Sequence, residues 1–308
     1  MQQSQLSSGD VIADRRADYA KMLAEGGEPD AAAELMEQAL ELTPDWAAGW
    51  YRLATYREKA GNMEAAVEAY RKTVSLDPED IFGAGLKLAL LGATAMPDQP
   101  PSRYVERLFD DYAARFETSL VEKLDYTVPR KLAALVVATG RKYPLAVDLG
   151  CGTGLLGPEI RTHVGQLEGY DLSQNMLAKA HEKGIYDRLA QADLSLAPEA
   201  SGIFADGAEH RADLITAADV LMYLGNLESA FAIVDRLAAA GADFAFSVED
   251  AGDGDGFHLA PSLRYAHAET YVRGLCRRYG FEIIESVKTA IRKDGGRPVS
   301  GILFLARR

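Results

Sequence analysis

Cysteine is nearly absent from this chain: two residues of 308, Cys151 and Cys276. Two thiols cannot frame a disulfide-stapled fold or complete a four-cysteine zinc site, so the expectation is a pair of reduced thiols in a cytoplasmic protein. The first residues are polar and lack the basic-then-apolar pattern of an export signal. No apolar run approaches the ~18 residues of a membrane-spanning helix, so no membrane partner is expected. Positive charge is also scarce. Lys and Arg number 33 against 46 Asp and Glu, a net of -13, which argues against nucleic acid because a phosphate backbone is met by a surplus of cations. There are five histidines, and no set of His, Cys, Asp and Glu has the spacing of a metal site.

Hydrophobic residues make up 48% and charged residues 26% of the chain. That balance is ordinary for a folded globular protein and rules out general disorder. At ~150 residues per domain the length suggests two domains.

The front of the chain repeats itself with a period of 34 residues. Gly27 and Gly61, Ala32 and Ala66, and Pro44 and Pro78 all stand that far apart. Small Ala residues suit positions where antiparallel helices touch. Gly ends a first helix, and Pro cannot continue the second. Period and pattern resemble the tetratricopeptide repeat. Trp50, Leu53, Ala54, Gly61, Ala66, Tyr70 and Pro78 match its consensus positions, whereas Arg57 and Thr73 depart from it. The first copy is weaker, with Arg16 in the place of Trp50. Two repeats are expected, over 12–45 and 46–79, closed by an apolar helix over 81–91 that covers the open end. Such an array either docks a partner or supports self-association. Of the -13, -8 falls within residues 1–100, so a peptide partner of the repeats would be basic. Residues 92–102 hold three prolines and a glycine and mark a boundary. An all-α repeat domain over 1–100 and a second domain over 101–308 follow.

From residue 145 the pattern alternates strand and helix. Strands are expected at 145–149, 166–172, 188–193, 212–219 and 242–248, and helices from 155, over 173–181, 227–239 and 269–279. A final hairpin over 281–291 and 299–306 turns at 294–296. That order predicts a mostly parallel sheet covered on both faces, with an antiparallel C-terminal hairpin.

Ligands of such sheets sit beyond the carboxyl ends of the strands. The first strand runs through Asp148 into Gly150, Gly152 and Gly154. Glycines there permit a tight turn and close approach of a ligand to bare backbone, and a following helix would offer N–H groups to a carboxylate. The second strand ends in Asp171, an acid placed to accept from two ribose hydroxyls. The third ends in Asp193, placed for an adenine amino group. One glycine loop and three strand-end acids (Asp148, Asp171 and Asp193) together define a nucleoside site.

A dinucleotide fingerprint needs a third glycine where Leu155 stands, which disfavours a nicotinamide oxidoreductase. The glycine loop, Asp171 and the pair Asp193 and Leu194 instead resemble the class I S-adenosylmethionine-dependent methyltransferases over about 102–308. With the stretches 108–116, 124–129, 217–224 and 264–267, the whole chain is similar to bacterial methyltransferases that carry N-terminal tetratricopeptide repeats. The resemblance implies a seven-stranded Rossmann-like sheet and S-adenosyl-L-methionine as cofactor. It implies that Gly150, Gly152 and Gly154 hold the methionine part, Asp171 the ribose, and Leu172, Asp193 and Leu194 the adenine. Tyr112 and Tyr126 would close over the cofactor, with a hydroxyl reaching its carboxylate. Asp219 falls where the family lines its methyl-transfer pocket, and Tyr223 follows it by four residues. His258 and His267 lie in the segment after the fifth strand and, with a near-neutral pKa, are candidates for a substrate or base role. Glu249, Asp250, Asp253 and Asp255 read as a mobile acidic loop, a candidate gate. The acceptor is expected to be a small molecule or a protein. The alternative is a non-catalytic scaffold that keeps a nucleoside pocket.

Overall fold

The computed structural model describes residues 6–113, 116, 126–205, 208–294 and 296–308. Residues 114, 115, 124 and 125 of the stretches 108–116 and 124–129, and Gly295 of the expected turn, lie outside these. The chain divides into two compact units, Met1–Pro97 and Asp98–Arg308. Among the described residues no helix is long and apolar enough to cross a membrane.

The first unit contains α1 (Val11–Glu25), α2 (Pro29–Leu42), α3 (Ala47–Lys59), α4 (Met63–Leu76) and α5 (Ala84–Leu90). The 34-residue period has a direct structural cause. Gly27 and Gly61 both adopt positive φ (87° and 81°). Around them Glu28 N–H reaches Leu23 O and Asn62 N–H reaches Arg57 O, each at 2.9 Å. Both first helices thus end in the same C-terminal capping motif. Ala17, Ala20, Ala32, Ala39, Ala54, Ala66 and Ala69 are fully buried where the helices meet.

The two departures from the consensus are accommodated. The Thr73 hydroxyl, fully buried, donates to Ala69 O at 3.0 Å. Arg57 donates to Ala65 O at 3.1 Å and to Glu37 at 2.6 Å. Arg16 donates to Gln38 O at 2.6 Å in the first copy. The expected closing helix is shorter than 81–91, starting after Gly83, which sits in the left-handed region.

The second unit contains α6 (Ser102–Tyr112), α7 (Val128–Ala138), β1 (Tyr143–Leu149), α8 (Gly157–Ile160), β2 (Val164–Asp171), α9 (Gln174–Glu182), β3 (Arg188–Gln191) and β4 (Ala212–Ala217). It continues with α10 (Glu228–Leu237), β5 (Ala238–Asp250), β6 (Phe257–Leu259), β7 (Tyr265–His267), α11 (Glu269–Arg278), β8 (Glu282–Asp294) and β9 (Arg297–Arg307). β3, β2, β1, β4 and β5 lie side by side and parallel. β9 then pairs antiparallel with β5, and β8 with β9. These seven strands form the mostly parallel sheet with a C-terminal antiparallel hairpin. β6 and β7 are additional: they pair with each other, and β7 pairs with the last two residues of β5.

Successive residues of one strand pack into opposite layers, as the two-residue period requires. Val147, Ile215, Phe244, Phe246 and Phe304 join Phe231, Val272 and Leu275 on the α10 and α11 side. Ala146, Leu214, Ala245 and Leu305 join Leu132, Val136 and Ile160 on the α7 and α8 side. The larger rings lie on the first side, where Phe244 and Phe246 stack at 4.3 Å.

Three local expectations are corrected. The helix from 155 is a single turn, Gly157–Ile160. The helix over 227–239 stops at Leu237, and β5 starts at Ala238, four residues before its expected start at Ala242. Glu249 and Asp250 are the last residues of β5 and not part of a mobile acidic loop.

Gly49 is the tightest point of the repeats. A Cβ there would overlap the Trp46 ring and come within 2.8 Å of Leu40. Overpacking of this kind costs about 1–3 kcal/mol. Gly49→Ala is expected to lower the urea midpoint of the repeat unit accordingly, although Ala is the better helix former on a solvent-facing position.

Candidate active site: a cavity over the strand ends

A cavity of about 350 Å³ opens over the carboxyl ends of β1, β2, β3 and β4. Its volume lies within the ~300–1,000 Å³ range of small-molecule sites. Asp148, Gly150, Gly152, Asp171, Leu172, Asp193, Leu194, Tyr112, Tyr126, Asp219 and Tyr223 all line it.

The glycine loop follows β1 because Gly150, Gly152 and Gly154 all take positive φ (67°, 55° and 81°). The three do different work. A Cβ on Gly150 would collide with Val220, and one on Gly154 would lie 2.8 Å from the Tyr186 ring. Those two glycines serve packing, and Gly154 does not line the cavity. A Cβ on Gly152 would meet nothing nearer than Phe116 at 4.0 Å. Its bare backbone therefore faces open space. The loop feeds only the one-turn α8, so any anion affinity comes from the loop's own N–H groups and not from a helix dipole.

Acids brace this loop from beneath. Asp148 is buried and accepts from Thr216 Oγ1 and Tyr186 Oη, both at 2.7 Å. Burial pushes it up to about 6 against those two hydrogen bonds. One oxygen of Asp171 accepts from Gly152 N–H at 2.8 Å, and the other from Ser173 N–H at 2.9 Å. Burial again dominates and raises it to about 6. Asp171 therefore shapes the loop as well as facing the cavity. The Asp193 carboxylate accepts from Ser195 N–H and Oγ at 2.9 and 2.6 Å.

Helix α6 roofs the cavity. No residue in it is fully buried, and Tyr104, Val105, Leu108, Phe109 and Tyr112 turn toward the open space. Polar contacts tie it down: Asp110 accepts from Ser173 Oγ at 2.6 Å, Glu106 from Gln191 at 3.1 Å, and Ser102 lies 3.2 Å from Ser195 Oγ. Phe109 packs edge-on against Tyr223, with centroids 4.8 Å apart. Burial raises the Tyr126 and Tyr223 phenols, keeping both neutral.

On the far side Asp219 follows β4 with φ +58°. Arg292 and Arg264 line the same wall. Arg264 opens the stretch 264–267 but is given no role by it, and Arg292 belongs to no motif; each reaches the cavity only through β7 and β8 or their approaches. Arg292 stands among Lys288, Lys293 and Asp294 in a polar strand, so nothing in the spacing separates it from its exposed neighbours.

His267 does not line the cavity. It is fully buried in β7, its Nε2 2.9 Å from Gly225 O and its ring stacked on Tyr271 at 6.1 Å. Burial lowers its pKa to about 4, so it is a neutral packing residue and not the expected base. His258 is exposed in β6 and also stands outside the lining.

Residues 147–244 match a family model described as a methyltransferase domain, and residues 13–56 and 47–80 match tetratricopeptide-repeat models. The chain is a methyltransferase-domain protein with N-terminal tetratricopeptide repeats. Among solved structures it resembles the 1,6-didemethyltoxoflavin-N1-methyltransferase of Burkholderia thailandensis, solved with 1,6-didemethyltoxoflavin and S-adenosylhomocysteine. The TM-score is 0.52 at 17% identity, covering 70% of this chain and 93% of that one. It also resembles the magnesium protoporphyrin IX methyltransferase of Synechocystis PCC 6803, solved with S-adenosylhomocysteine, at a TM-score of 0.50 and 20% identity, covering 67% and 99%. At these identities the likeness concerns the fold. The repeats are 39% identical over 74 residues to the Hsp70-Hsp90 organizing protein of Triticum aestivum, a match spanning 24% of this chain and 12% of that relative's length.

A raised carboxyl changes the usual pH dependence. With Asp171 at about 6 in the folded chain and ~3.9 unfolded, the folded state holds a proton between those values that the unfolded chain has lost. Its contribution to stability therefore grows as pH falls through 6 and shrinks as pH rises. Between pH 7 and 5, the unfolding free energy of wild type is expected to gain about 1–2 kcal/mol on that of Asp171→Asn. Urea titrations at both pH values read this, and a change of opposite sign would refute it.

Proposed function

We propose that the second unit transfers a methyl group from S-adenosyl-L-methionine to a small-molecule or protein acceptor, and that the repeats dock a protein partner or a second copy in a cytoplasmic setting. The observation that carries this reading is the Asp171 carboxylate. It is desolvated at the end of β2, holds Gly152 N–H, and lines the cavity beside the one glycine of the loop whose space is open. A half-buried acid in that position gains most from the two hydroxyl donors of a ribose. The methyltransferase-domain match over the same strands supports it.

The residues present fit the cofactor. Gly152 and its neighbours would hold the methionine end, Asp171 the ribose, and Leu172, Asp193 and Leu194 the base. When bound, the cofactor supplies a sulfonium methyl that needs no further activation. The protein then has to align the nucleophile and exclude water, and alignment alone is worth ~7–11 kcal/mol. The aromatic underside of α6, with Phe109 and Tyr112, and Phe116 beyond it would exclude water from above, and Tyr126 and Tyr223 would flank the acceptor.

Titration calorimetry with S-adenosylhomocysteine is the direct test. Micromolar binding is expected, weakened about 10–100-fold in Asp171→Ala, which loses hydrogen bonds to a charged group. Tritiated methyl transfer into size-fractionated lysate then separates the readings. Label in a small-molecule or protein fraction supports the transferase. Intact binding without any labelled product favours a scaffold, and no binding at all refutes the nucleoside site.

A further inference from the structure

Asp219, Glu249 and Arg292 form a buried ion triad at the edge of the cavity. Arg292 donates to both carboxylate oxygens of Asp219, at 3.0 and 3.1 Å, and its other terminal nitrogen bonds Glu249. The side chains are only 3%, 9% and 8% exposed for Arg292, Asp219 and Glu249. A buried ion triad is a poor source of stability, because desolvation offsets most of the attraction and apolar residues of similar size do as well. The backbone adds to the cost. Asp219 is one of few non-glycine residues at positive φ (58°), a conformation that persists only where its surroundings impose it. Here the imposing contact is its N–H donating to the buried Ser247 Oγ at 2.8 Å. On the other strand, the β8 register shifts between Ala290 and Arg292, and bulges of this kind re-aim a side chain. A costly ion triad, a positive-φ backbone and a strand bulge thus converge on the contact between Asp219 and Arg292.

The triad is also asymmetric. Asp219 and Arg292 line the cavity, whereas Glu249 does not. Glu249 holds one end of the guanidinium from behind, which fixes the face that Arg292 turns to Asp219. The groups acting on Asp219 come from every neighbouring element: Arg292 of β8, Glu249 of β5, Arg264 between β6 and β7, and the Tyr126 and Tyr223 hydroxyls. Burial and Glu249 push Asp219 up while Arg292 and Arg264 pull it down, leaving it at about 6. It is ionised at neutral pH and near the value that suits a general base.

Resting on the transferase reading, we propose that Asp219 is the base that takes the acceptor's proton, and that Arg292, clamped by Glu249, is the positioning residue that aims it. The acceptor is then an O–H or N–H nucleophile, and not a carboxylate already stripped of its proton. As the acceptor's oxygen or nitrogen lone pair forms the new bond to the methyl carbon, the old carbon–sulfur pair stays on sulfur. The acceptor's proton moves to an Asp219 oxygen.

The first test needs no acceptor. Full-length protein labelled with ¹³Cγ-aspartate and saturated with S-adenosylhomocysteine is titrated by NMR, with Asp219→Asn assigning the resonance. The Asp219 midpoint is expected near 6, raised by at least about one unit in Arg292→Gln. In Arg292→Lys, which keeps the charge without the fork, it stays near the wild-type value. The lysine variant also guards against misfolding of the glutamine one. An unchanged midpoint in Arg292→Gln overturns the positioning role.

The second test is label transfer in the acceptor-containing fraction. The wild-type rate is expected to rise with pH through the Asp219 midpoint. The rise moves to higher pH in Arg292→Gln, and Asp219→Asn loses about 10²–10⁴-fold. Transfer by Asp219→Asn at the wild-type rate overturns the base. Failure of wild type to bind S-adenosylhomocysteine would instead sink the transferase reading, and this proposal with it.

Discussion

A parallel sheet buried on both faces leaves only its strand ends free to meet a ligand. Helices α10 and α11 cover one face and α7 and α8 the other, so polar side chains of β1, β2 and β4 can face open space only where the strands stop. The rest of the second unit follows from this. Asp148, Asp171 and Asp219 stand at those ends, each shielded enough from water that its charge is disfavoured. Hydrogen bonds and one arginine hold them in place. A cavity walled by such carboxylates favours ligands that bring donors, as a ribose does.

The glycine loop shows how packing and binding share one stretch of backbone. Gly150 and Gly154 are required because Val220 and Tyr186 press against them, and only Gly152 leaves room beside the cavity. Asp171 ties the two functions together by accepting from Gly152 N–H while facing the open space. Above the loop, α6 has an apolar underside that the protein buries only in part, held down by Asp110, Glu106 and Ser102. A ligand in the cavity would complete its packing.

The two walls of the cavity thus differ in kind. On the wall beside β1, β2 and β3, backbone and single acids face the open space, a pattern that short sequence spacing conveys. On the opposite wall, Arg264 and Arg292 arrive from β6–β7 and β8, more than 40 residues beyond Asp219 in the chain. The three-residue strands β6 and β7 carry too little periodicity to be read, and with them went the placement of His267. Alternation along β7 sends His267 inward against Tyr271, where a charged imidazole could not be hydrated. Glu249 reads as loop for a related reason: an acid at the end of a strand has the pattern of a solvated residue, and only the fold brings Arg292 to it.

The sequence by itself determined the repeat period, the succession of the seven main strands along the chain, and the glycine loop with its acids at Asp148, Asp171 and Asp193. Each is a local pattern: a helix cap recurring every 34 residues, an apolar run, a turn that only glycine tolerates. Only the tertiary structure decided which glycine faces the cavity and which merely packs. It also placed the guanidinium of Arg292 on Asp219 and removed His267 from the site. Those outcomes depend on side chains brought together across the sheet by register and by a bulge in β8, and no spacing along the chain encodes either.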